Sequence, residues 1–90
     1  MTMTQFMWEV DVPIEHSATG ERGVHVFTGL AENGREARQA AQRAWEMALL
    51  HTLAGQDVPA ATKPTDWSAR GLRADWDMRW DQATHHDIER

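Results

Sequence analysis

Ninety residues, 41% of them apolar and 26% charged, suffice for one small folded domain and are too few for two. No apolar run approaches the ~18 residues of a membrane helix. The first twenty residues lack the basic start and apolar core of a secretory signal, and no cysteine is present for disulfides, thiolate metal sites or thiol catalysis.

Nine Lys and Arg face fourteen Asp and Glu, and the net charge of −5 is spread along the chain. The basic face on which nonspecific nucleic-acid binding depends is therefore missing. A chain this short buries only about 60–65% of its unfolded surface. Five Trp (8, 45, 67, 76 and 80) and two Phe are its largest apolar side chains, so most of these rings are expected to serve the core.

Residues 1–5 read as a frayed start. Phe6, Trp8, Val10, Val12 and Ile14 then alternate with Met7, Glu9, Asp11, Pro13 and Glu15, the period-two pattern of a half-buried strand. Pro13 has no N–H, so pairing on its side should stop near it. Residues 16–23 form a turn in which Gly20 or Gly23 can take a positive φ. Val24 and Val26, with His25 and Phe27 between them, start a second strand ending near Thr28, and the short connection implies an antiparallel hairpin.

A helix begins at Asn33, an N-cap with Glu36 three residues on. Ala37, Ala41, Ala44, Trp45, Ala48 and Thr52 form one stripe at helical spacing, and Gly55 terminates it. The second half of this helix differs from the first. Met47, Leu49, Leu50 and Leu53 widen the apolar stripe until Leu50 points almost opposite Ala41, so a further surface should cover them. Residues 54–66 read as a long loop with Gly55, Pro59 and Pro64 as breakers, and 66–71 as one capped helical turn.

Leu72, Ala74, Trp76, Met78 and Trp80 alternate with Arg73, Asp75, Asp77, Arg79 and Asp81. A helix competes, because Leu72, Trp76, Trp80, Thr84 and Ile88 are spaced by four. The strand leaves no large apolar side chain on the wrong face and is preferred. A last short strand would start at Ile88.

The expected fold class is α+β, one domain spanning residues 1–90 with 1–5 and 86–90 frayed. It has a largely antiparallel sheet of three strands, four if Ile88 starts another, in order 2-1-3, with one long helix on one face. The helix is expected to cover Trp8, Val10, Val24, Val26, Trp76 and Trp80. The opposite face would carry Met7, Glu9, Asp11, His25, Phe27, Arg73, Asp75, Asp77 and Arg79.

The strand–strand–helix half, with Ala37, Ala40, Ala41 and Ala44 after Gly34, resembles the end of a double-stranded-RNA-binding domain. It is also similar to antitoxins that start strand–strand–helix. The first likeness implies basic residues at the helix start, where Arg35 and Arg38 stand with Glu32 and Glu36 and no lysine. Neither covers the whole chain.

His85, His86 and Asp87 are adjacent and do not converge on one ion, and no second ligand pair stands at zinc spacing. Asp75 and Asp77 could approach Glu9 and Asp11, but the interleaved Arg73 and Arg79 make an ion-paired solvated face the better reading. Ser17 and Ser68 are the only serines, and no GxSxG, GxxxxGK[ST] or GxGxxG motif is present.

These residues predict a cytoplasmic, non-catalytic interaction or regulatory module without cofactor, metal or membrane contact. It would self-associate as a homodimer through Met47, Leu50, Leu53 and Trp67, leaving the acidic sheet face for a basic partner. The alternative is nucleic-acid binding through Arg35, Arg38 and Arg43, with Phe27 stacking on a base. A metal- or carboxylate-based enzyme using Asp75, Asp77 and the histidines is the third reading.

Overall fold

Eleven residues, Phe6–His16, form β1, the central strand, in a computed structural model that describes residues 4–58, 66–69, 73 and 75–88. The chain turns back at residues 17–21, where Gly20 takes φ 73° and His16 Nδ1 accepts hydrogen bonds from the Ala18 and Thr19 amides. β2 (Arg22–Ala31) then pairs antiparallel with β1 along its whole length, from Glu15↔Arg22 to Phe6↔Ala31.

α1 (Gly34–Leu53) follows at once. Asn33 Oδ1 accepts from the Glu36 amide at 2.9 Å, and Glu36 Oε2 accepts from the Glu32 amide at 3.4 Å, a reciprocal cap displaced by one residue. At the far end Gly55 takes φ 72°, and the Gly55 and Gln56 amides donate to Thr52 and His51 carbonyls. This is a Schellman ending, which only a residue tolerant of positive φ allows without strain.

The other edge of β1 is lined by two short antiparallel strands, β3 (Trp76–Met78) and β4 (Thr84–Asp87), separated by a 3-10 turn at Trp80–Gln82. The sheet therefore has four strands in order β2-β1-β3, with β4 also on β1, and the protein is α+β as the sequence implies. The break between β3 and β4 has a cause in β1. Pro13 accepts a hydrogen bond from the Arg79 amide on this edge, so its missing N–H faces the same way, and the ladder cannot continue past it. Pairing resumes at Asp11↔Thr84.

The extended stretch expected over 72–81 is thus confined to Trp76–Met78 among the described residues; Leu72 and Ala74 lie outside them. The last strand precedes Ile88 rather than starting there, and His86 and Asp87, expected in a frayed end, are its final rungs. Residues 66–69 form a bend and an irregular run, not a helical turn.

One expectation about the faces is overturned. In β2 the odd residues face the helix: Val10↔Phe27, Val12↔His25 and Ile14↔Gly23 set the register. Phe27 is 1% exposed, whereas Val24 and Val26 are 59% and 52% exposed on the open face. The reason is fit. Phe27 stacks on Trp80, with ring centroids 5.6 Å apart, and Gly29 leaves room for the Trp67 ring.

The centre of the core is built from small residues: Val10, Val12, Ala31, Ala37, Ala41 and Ala48, with Phe27 the one large ring among them. The alanines let α1 lie close to the sheet. Trp8, Trp45, Trp67 and Trp80 are half-buried around this centre and seal its margins, and two of them reach polar partners. Trp8 Nε1 donates to the Ala31 carbonyl at 3.1 Å and Trp67 Nε1 to the Leu30 carbonyl at 3.0 Å.

Candidate functional site

A helix that covers one side of a sheet needs one apolar stripe; α1 carries a second. Ala37, Ala41 and Ala48 face the sheet and are buried. At ~100° per residue, Met47, Leu50 and Leu53 lie on the far side of the helix. They are 57%, 62% and 76% exposed, with Leu49 beside them at 36%. The first half of the same outer side is polar, carrying Arg35, Gln39, Gln42, Arg43 and Glu46.

Met47 also lines a groove of about 520 Å³ between α1 and residues 66–69, together with Ala44, His51, Val58, Trp67 and Ala69. The four residues expected at an interface are therefore divided. Met47 and Trp67 share this groove, while Leu50 and Leu53 lie outside its lining. Trp67 is held by its bond to Leu30 and is a wall of the core as much as a surface ring.

The basic start of the helix is divided as well. Arg35 and Arg38 line a cleft of about 400 Å³ with Gln39, Gln42, Trp80 and His85, and Arg38 donates to the Trp80 carbonyl at 3.3 Å. Arg43 lies elsewhere, on the Trp67 groove. Phe27, expected as a stacking ring, is in the core beneath Trp80 and offers no face to a base.

The open sheet face departs furthest from expectation. Asp77 lies opposite Glu15, and Asp75 accepts hydrogen bonds from Ser17 through its carbonyl, so neither joins Glu9 and Asp11. Arg79 bonds to Glu15, and Arg22 approaches the same carboxylate at 3.9 Å; Arg73 instead lies over the Trp76 ring. Glu15 is thus paired internally, which leaves less of the acidic face for a basic partner than composition suggests.

What does meet Glu9 and Asp11 is His86. Glu9↔His86 is a directly opposed pair across β1 and β4, and Asp11 stands two residues along β1 on the same face. The ligating atoms of all three lie within 4.8 Å of one another. His86 Nε2 is 3.5 Å from Glu9 Oε2, and Asp11 Oδ1 is buried without a hydrogen-bond partner. The Glu9 carboxyl is raised above the ordinary carboxylate value, first by its hydrogen bond with Asp11, then by burial and by the Asp11 charge, with His86 opposing. Period-two alternation of β1 places the two carboxylates together; only the register of β4 adds the histidine.

Compared with known proteins, the chain matches no family model, no curated protein and no solved structure. Among the described residues, no helix is long and apolar enough to cross a membrane.

Proposed function

We propose that the protein is a non-catalytic interaction module that pairs with a second copy of itself through the outer side of α1 from Met47 to Leu53. The observation that carries this reading is the exposure of Met47, Leu50 and Leu53 on consecutive turns opposite the buried alanines. Scattered apolar residues on a surface need no explanation, but a contiguous row on the solvent side of a helix does. Burying it removes apolar area from water, the main favourable term in association. A two-fold pairing uses the same row on both chains, and such dimers are the commonest assembly. The neighbouring Trp67 groove extends the surface with the ring and Met types that interfaces favour.

Sedimentation equilibrium over a wide concentration range tests the reading. The native chain should dimerise, and Leu50→Asp should be monomeric with an unchanged circular-dichroism spectrum, since Leu50 contributes little to the monomer's core. A native chain that stays monomeric near millimolar concentration, or a Leu50→Asp variant that still dimerises, overturns it.

A further inference from the structure

We infer that Glu9, Asp11 and His86 form a binding site for a first-row divalent cation, zinc foremost, on the open face of the sheet. The site is independent of the helix surface proposed for self-association. It joins the central strand to β4, the last strand of the sheet, so a bound ion would clamp a four-residue edge strand to β1.

Three observations converge. The donor atoms are already close: all within 4.8 Å, and His86 Nε2 to Glu9 Oε2 at 3.5 Å. Ligands at ~2.0–2.2 Å from a tetrahedral ion stand ~3.3–3.6 Å apart, so the histidine–glutamate edge already has the required length and only small side-chain rotations remain. Second, Asp11 Oδ1 is buried and accepts no hydrogen bond. A buried carboxylate oxygen without a donor is uncommon, and a cation is one of the few partners that satisfies it. Third, the backbone presets the arrangement. Glu9 and Asp11 share a face by strand alternation, and His86 is placed opposite Glu9 by the β1–β4 register rather than by a flexible loop.

The donor set chooses the metal class. One imidazole nitrogen and two carboxylate oxygens, without thiolate, suit Zn²⁺ or its first-row neighbours. Mg²⁺ prefers an all-oxygen octahedron and gains little from the histidine. His86 is half-exposed, so its side of the site is open to water, which would complete the coordination.

Isothermal titration with ZnCl₂, and separately with MgCl₂, tests the inference on the full chain. One Zn²⁺ should bind per chain. Asp11→Asn and His86→Ala should each weaken binding about tenfold or more, and His85→Ala, whose side chain lies on the helix face of β4, should leave it unchanged. On adding Zn²⁺ to the native chain, the His86 ring protons should shift in the NMR spectrum, a readout that survives if a variant folds poorly. The site is refuted if no Zn²⁺ binds or if His86→Ala binds Zn²⁺ like the native chain. It is equally refuted if His85→Ala loses binding as His86→Ala does, or if Mg²⁺ binds as tightly as Zn²⁺ whether or not His86 is present.

Discussion

The two faces of β1 are made from the same eleven residues and are held by different physics. On the helix side, Val10 and Val12 are wholly buried under alanines and Phe27, and the stabilisation is apolar area removed from water. On the open side, Glu9, Asp11 and Glu15 are arranged by partners: His86 for the first two, Arg79 and Arg22 for the third. Changes of volume should matter most on the covered face, and changes of charge on the open one. Stability is therefore expected to reside in one layer and specificity in the other.

The largest test of that division is the pair Phe27→Ala and Val26→Ala. These residues are neighbours in β2 but point to opposite faces. Phe27→Ala should cost about 3–5 kcal/mol in urea unfolding, enough to bring a domain of this size close to unfolding. Val26→Ala, at a half-exposed position, should cost below about 1 kcal/mol. Phe27→Leu gives a measurable intermediate if the alanine variant does not fold. If Val26→Ala proves the costlier, the two faces of β2 are reversed.

A smaller effect sharpens the comparison within the covered face. A Cβ at Gly29 would run into the five-membered part of the Trp67 indole, which its hydrogen bond to Leu30 keeps in place. Gly29→Ala should cost about 1–3 kcal/mol and change the tryptophan fluorescence as the ring is displaced. Gly34→Ala is the control. Its Cβ would meet the His85 ring, an exposed side chain free to swing away, and alanine suits a helix better than glycine. That variant should be neutral or slightly stabilised, and equal losses at the two sites would show that Trp67 is not anchored.

Much of this layering is legible in the sequence, for reasons of length and period. β1 offers five unbroken alternations and α1 a stripe of alanines with a cap at each end, so element type and inward face can be read directly. The row Met47, Leu50 and Leu53 is legible too, because apolar residues opposite a helix's core stripe have no use inside a one-helix domain. β2 defeats the same reading. In Val24-His25-Val26-Phe27 three of four residues are apolar, and only the shapes they meet across the sheet choose between faces. Residues 76–87 defeat it differently: the 3-10 turn that divides β3 from β4 answers Pro13, more than sixty residues earlier. His86 joins Glu9 and Asp11 through the same long-range pairing, so the third member of the cluster cannot be found from local spacing.

The mildest test concerns His25, the one titratable side chain β2 turns towards the core. It lies opposite the fully buried Val12, with its ring centroid 4.6 Å from that of Phe27. Burial lowers its affinity for a proton below the ordinary histidine value of 6.5, and the Arg73 charge lowers it further. The unfolded chain therefore takes up this proton more readily than the folded one. His25 contributes its full share to stability above pH 6.5, and that share is lost as pH falls through the depressed folded value. Urea midpoints measured from pH 7.5 down to pH 5 should decline, and less steeply in His25→Gln. Raising the salt concentration should recover only the minor part owed to Arg73, because burial is not screened. If His25→Gln declines as steeply as the native chain, then His25 is not the group responsible, and the covered face carries no pH-sensitive position in β2.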